Sequence, residues 1–267
     1  YYNPVVGRFL QEDTYHGDGL NLYAYCANNP VVYYDPGGHD SAAVMKKAEE
    51  PDLPVGVVKA NVNLSSANNI DDVLAKQGLT LDEFNLLRLK DVSTLSNTEK
   101  AALKAVRESV PIPDTNTLLQ KVIPASDLEK YMNGTYTQVG GYITRAEDVA
   151  KLTKYDELYE SLRLDYPGSV YNPLTDSSIG VIRYTTDEVS KISIPYGVEM
   201  GGIITDAPPF TGNGFTKATN GEIIPEFKCN GYIDVSDGAQ LIEIGKDGKE
   251  TLKAVYSEAI GKFIPIY

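Results

Sequence analysis

Glu226 is the acid with the most suggestive surroundings. It sits in Ile223-Ile224-Pro225-Glu226-Phe227-Lys228-Cys229. A carboxyl among apolar neighbours at a strand edge is partly desolvated, which favours its neutral form. Two glycine-bearing segments precede it. Gly140-Gly141-Tyr142-Ile143-Thr144-Arg145 ends an expected strand on a hydroxyl and a cation. Residues 197–221 place six glycines in twenty-five positions, with Phe210, Phe215 and the run Gly212-Asn213-Gly214-Phe215-Thr216 among them. Glycine lets backbone N–H groups approach a ligand closely. A nucleotide needs a cation for phosphate, close backbone, an aromatic face and an acid at the reacting carbon. The three segments are therefore expected to converge on one site.

The rare residues narrow the chemistry. His16 and His39 are the only histidines, and Cys26 and Cys229 the only cysteines. Beyond residue 39 no His/Cys zinc site, Ser-His-Asp triad, Cys-His pair or zinc-deaminase pattern can be built. What remains is carboxylates, Arg, Lys, Tyr, Ser, Thr and backbone. The 24 Lys and Arg against 37 Asp and Glu leave a formal charge of -13, which argues against a general nucleic-acid binder. No window of eighteen apolar residues predicts a membrane span. The start, Tyr-Tyr-Asn-Pro, has neither Met nor a signal peptide and reads as a fragment of a longer chain.

The elements that must position these groups emerge from pattern. Thr80 with Glu83, and Ser96 or Asn97 at the start of the next run, are capping signals for two helices. Leu81, Phe84, Leu87 and Leu89 supply the first apolar face, and Ala102, Leu103, Val106 and Val110 the second. Prolines 111 and 113 stop the second. A short strand is expected over 118–124, then a helix capped by Ser126 and stopped by Gly134, then a strand through Thr144. Residues 146–152 and 153–166 read as helices. Strands are expected at 178–186, 191–197 and 240–257, the last turning at Lys246-Asp247-Gly248, with Gly231 to Gly238 as a loop. Residues 39–50 read as a short helix within a polar, Pro-interrupted connector. The fold class is α+β, with a mainly antiparallel sheet late in the chain.

Residues 1–38 differ in texture. Seven of the first forty residues are Tyr, set between Asn3-Pro4, Gly17-Asp18-Gly19, Asn28-Asn29-Pro30 and Asp35-Pro36-Gly37-Gly38. YYNPVVGRFLQED, GLNLYAYCANNPV and YYDPGGH together resemble the end of the Rhs (YD-repeat) core of polymorphic toxins. The resemblance implies a β-rich core remnant at 1–38 and a toxin end after about residue 40, which the patterning divides into a linker and helical lead-in at 39–110 and a toxin domain at 111–267. It implies a secreted or surface-delivered protein that acts in the cytoplasm of a target cell, an unknown target protein there, and a cognate immunity protein. It also implies a self-cleaving aspartyl dyad, for which Asp13 and Asp35 are the matching positions. Thr14 and His39 depart from the family's usual Pro and Leu. Two carboxylates sharing a proton can activate water.

The order strand, helix, strand ending in Thr, late strand with Glu is similar to that of the ADP-ribosyltransferases. The resemblance implies NAD as substrate, Thr144 on the strand that braces nicotinamide, and Glu226 steadying the oxocarbenium ion. Gln120 and Lys121 stand where the family has Arg or His, and Arg145, Arg163 or Arg183 supplies the phosphate contact instead. A second register takes Arg183, Thr216 and Glu243. Two other readings remain. One is a nuclease holding Mg²⁺ with Asp148, Asp165 and Glu226. The other is a non-enzymatic module that binds a partner through the Gly-rich loop.

Overall fold

The computed structural model describes residues 73–266 and four two-residue strands ahead of them. The chain divides into two compact units, 1–54 and 55–267. In the first, β1 (Tyr2–Asn3) pairs antiparallel with β2 (Arg8–Phe9), and β3 (Tyr33–Tyr34) with β4 (Val44–Met45). β4 falls inside the stretch expected to be helical. Asp13 and Asp35, with the self-cleavage they were assigned, lie outside the described residues.

The second unit is a set of helices on an antiparallel half-barrel sheet, consistent with α+β. Helices α1 (Leu81–Leu89) and α2 (Asn97–Ser109) come first. Each opens on a reciprocal capping box, Thr80 with Glu83 and Ser96 with Glu99. Strands β5 (Leu119–Pro124), β6 (Gln138–Arg145), β7 (Ser178–Tyr184), β8 (Ile192–Ser193), β9 (Phe227–Asp234), β10 (Gln240–Gly245), β11 (Glu250–Ser257) and β12 (Lys262–Pro265) form one eight-stranded sheet, in the order β12-β11-β10-β7-β5-β6-β9-β8. Helix α3 (Ala125–Met132) packs on β12, β7, β10 and β5, and α4 (Tyr155–Ser161) contributes Tyr155 and Leu158 to the opposite face.

The middle of the sheet is apolar on both faces. Ile182 and Tyr184 join Leu128 and Tyr131 of α3 in one core, while Ile179 and Val181 join Tyr155 and Leu158 in another. That is why Ser178–Tyr184 reads as a nearly unbroken apolar run rather than an alternating one. Gly180 is required there, because a Cβ would come within 2.6 Å of Ile123 Cγ1.

Several expectations need correction. Leu81 is 50% exposed, so the buried face of α1 is Phe84, Leu87 and Arg88. Pro124, not Ser126, precedes α3 and gives no side-chain cap. Residues Ala146–Val149 form only a 3₁₀ turn, because Arg145 folds back onto Glu147 and Asp148. Strand β9 runs through Asp234, into the stretch read as a loop, and β12 was not anticipated. The helical lead-in is not separate from the sheet domain. Phe84, Leu87, Leu103 and Val106 share a core with Met200 and Phe215.

Candidate functional site

β5 pairs with β7 over six rungs but with β6 only at Leu119↔Arg145 and Gln120↔Thr144. Beyond those two rungs the strands part. β6 then pairs with β9, the last rung being Ile143↔Phe227, and Thr144 and Glu226 each stand one residue beyond that rung. A cleft of about 410 Å³ opens over this splayed seam, and Gln120, Thr144 and Glu226 all line it. Its other walls come from Leu162, Arg163, Leu164, Tyr166, Pro167, Tyr171, Asp206 to Phe210, and Lys217. Its size and mixed lining suit a small-molecule ligand.

The polar groups are held in place. Gln120 Oε1 accepts from Arg183 Nε at 3.0 Å, and Arg183 is fixed by two bonds to Glu250 at 2.8 and 2.6 Å. With its oxygen engaged, Gln120 keeps its NH₂ as a donor. The Tyr142 hydroxyl donates to Asp206 at 2.7 Å, and burial together with that bond raises the Tyr142 pKa. The Phe210 ring centroid lies 6.1 Å from that of Tyr142. Tyr171 donates to the Val122 carbonyl at 3.2 Å.

Burial pushes the Glu226 carboxyl up to about 7, against the opposing pull of the Arg107 guanidinium and the Lys121 ammonium. Lys121 is itself pushed down by burial, and its Nζ donates to the Tyr142 carbonyl at 3.0 Å. A carboxyl that titrates near neutrality in a cleft is a mark of functional sites.

The segment leading to Glu226 is clamped by the two lead-in helices. Arg107 of α2, fully buried, donates to the carbonyls of Gly214 at 2.8 Å and Glu226 at 2.6 Å. Its guanidinium lies 4.4 Å from the Phe227 ring centroid. Arg88 of α1, equally buried, donates to the carbonyls of Thr216, Ala218 and Glu222. Asn213 Nδ2 donates back to the Arg88 carbonyl at 2.8 Å. Gly214 has φ +85 and stands so close to Arg107 that a Cβ would meet its Nε at 2.9 Å.

The expected site residues therefore separate. Thr144 and Glu226 share the cleft. Arg145 does not line it, because Asp148 at 2.8 and 2.6 Å and Glu147 at 2.8 Å occupy its guanidinium. Arg183 acts on Gln120 rather than on the cleft. The run Gly212, Asn213, Gly214, Phe215 and Thr216 pairs with the segment that carries Glu226, the Gly214 carbonyl accepting from the Glu226 N–H at 2.8 Å. It is buried against α1 and α2 and does not line the cleft, with Phe215 edge-on to Phe84 at 5.4 Å. The second register does not assemble, since Glu243 bonds Ser178 and Lys253 away from Thr216. Asp148 and Asp165 are paired with Arg145 and Arg163, and no cluster of three metal-ligating side chains occurs among the described residues. The nuclease reading loses its ligand set.

Arg88 and Arg107 escaped the sequence reading. The signal was present: each stands four residues after a buried apolar side chain, Phe84 and Leu103, on the inward face of its helix. The Asp206–Phe210 wall had only Phe210 to announce it.

The chain matches no known protein family, and neither curated proteins nor solved structures give a match. No helix among the described residues is long and apolar enough to cross a membrane.

Proposed function

We propose that the cleft consumes NAD, transferring ADP-ribose to a protein of the intoxicated cell or to water, as the C-terminal toxin of an Rhs-type polypeptide. The observation that carries this reading is Glu226, a carboxyl displaced to about 7 in a cleft with aromatic walls that Thr144 also lines. In the reaction the bond between nicotinamide and the ribose C1′ breaks, and nicotinamide leaves with the electron pair. The Glu226 carboxylate stabilises the positive charge left on the ribose. An incoming hydroxyl or water bonds to C1′ and loses its proton to Glu226 or solvent. The steps draw on neither histidine nor cysteine. A toxin of this class is delivered from the producing cell, acts in the cytoplasm of its victim, and is neutralised at home by an immunity protein. Basic patches on that inhibitor would complement a chain of charge -13.

The test is incubation of the intact chain with NAD while nicotinamide release is followed. Turnover should rise with pH through about 7 as the Glu226 carboxylate forms. Glu226→Gln should lower it about 100- to 1,000-fold with folding preserved. Equal turnover in the variant, or none in the wild type, refutes the reading.

A further inference from the structure

A second cavity of about 260 Å³ adjoins the first, and the two share Asp206, Pro208, Phe210 and Lys217 in their walls. The cations around them are mostly engaged. Arg163 is paired with Asp165, Lys228 with Asp206 and Lys90 with Glu99, while Lys121 serves the Tyr142 carbonyl. Lys217 differs. Its ammonium makes neither an ion pair nor a hydrogen bond among the described residues. Asp91 feels its charge from beyond ion-pair distance.

The backbone under that side chain is unusually fixed. Arg88 donates to the carbonyls on either side, Thr216 at 2.7 Å and Ala218 at 2.8 Å. Arg163 donates to the Lys217 carbonyl itself at 3.2 Å. Three successive carbonyls are thus held by two guanidiniums, and a cation with no partner among the described residues stands where two cavities meet. Arg163 also holds φ 52, a left-handed conformation that a non-glycine residue adopts only when its surroundings enforce it. A cation on an immobilised backbone loses less entropy when an anion arrives.

We infer that Lys217 binds the pyrophosphate of a dinucleotide whose halves occupy the two cavities, the nicotinamide riboside beside Glu226 and the second nucleoside beyond Phe210. The inference rests on the NAD reading and goes past it. It moves the phosphate contact from the arginines at 145, 163 and 183, all spent on carboxylates, to a lysine of the Gly-rich loop. An ammonium serves here as a compact point charge.

The experiment measures binding of ADP-ribose and of nicotinamide riboside, which lacks pyrophosphate, to the intact wild-type chain, Lys217→Met and Lys217→Arg, with nicotinamide release from NAD followed in parallel. The methionine keeps the half-buried stem. Lys217→Met should weaken ADP-ribose by about 10- to 100-fold, the effect of losing a charge-assisted bond, and leave nicotinamide riboside unchanged. Lys217→Arg should restore most of the loss. Unchanged ADP-ribose binding in Lys217→Met, or no ADP-ribose binding by the wild type, overturns the site. Normal NAD turnover with unchanged KM in Lys217→Met overturns the site and leaves the reaction standing. Lysine-dependent ADP-ribose binding without nicotinamide release supports the site and removes the reaction.

Discussion

The two flanks of β5 are built on different principles. Toward β7 six rungs close the ladder, and toward β6 only two. The closed flank needs nothing beyond its strands and the apolar faces that cover it. Ile179, Val181, Ile182 and Tyr184 are all fully buried there. The open flank sets Gln120, Thr144 and Glu226 around a cleft and draws its order from outside the sheet, from Arg88 and Arg107. Where a sheet gives up pairing to make a site, side chains from other elements must hold the backbone that hydrogen bonds between strands no longer hold.

The contrast can be broken from either side. The largest effect on stability belongs to the closed flank: Ile182→Ala should cost about 2–5 kcal/mol in denaturant unfolding, with turnover per folded molecule little changed. On the open flank, Arg107→Met should cost about 2–4 kcal/mol, since the carbonyls of Gly214 and Glu226 lose a charged donor. Turnover per folded molecule should fall well beyond what stability explains. If Arg107→Met behaves like Ile182→Ala, the clamp has no part in placing Glu226.

A smaller effect has a sign that depends on pH. The Glu226 carboxyl titrates at about 7 when folded and near its ordinary value when unfolded. Its contribution to stability is thus present in acid and lost as pH rises through about 7. Glu226→Gln should unfold like the wild type at pH 4 and be about 2 kcal/mol more stable at pH 8. That is about 1.4 kcal/mol for each pH unit separating the two ionisations, discounted for partial solvent access. A difference between variant and wild type that is the same at pH 4 and pH 8 would show that burial does not perturb this group. The smallest effect lies farthest from the sheet. Ser96→Ala removes one half of the α2 capping box and should cost about 1 kcal/mol by thermal unfolding, with turnover unaltered.

Local rules made the first part of this architecture legible. Capping boxes at Thr80 and Ser96, the apolar run at 178–184 and the Lys246-Asp247-Gly248 turn are readable because each signal lies within a few residues of its effect. Thr144 and Glu226 could be singled out as candidates, for a strand-end hydroxyl and an acid among apolar residues are also local facts. The rest needed distant partners. Whether Arg145 faces a ligand or Asp148 depends on where the chain turns after β6. Phe215 suits a pocket or a core equally well, and only the arrival of Phe84 decides for the core. An arginine on the apolar face of a helix has no readable purpose until the carbonyls it holds are known.

Those carbonyls lie far along the chain. Arg107 reaches positions 107 and 119 residues later, and Arg88 positions 128 to 134 residues later. Loop closure over such spans is slow, and long-range contacts of this kind form late in folding. Synthesis runs in one direction, so both helices leave the ribosome well before the segment they organise. Until that segment emerges, the two guanidiniums remain hydrated and Glu226 has no fixed place. A nascent or truncated polypeptide lacking the final third therefore carries no assembled site. The site can assemble only after the segment around Glu226 has been made.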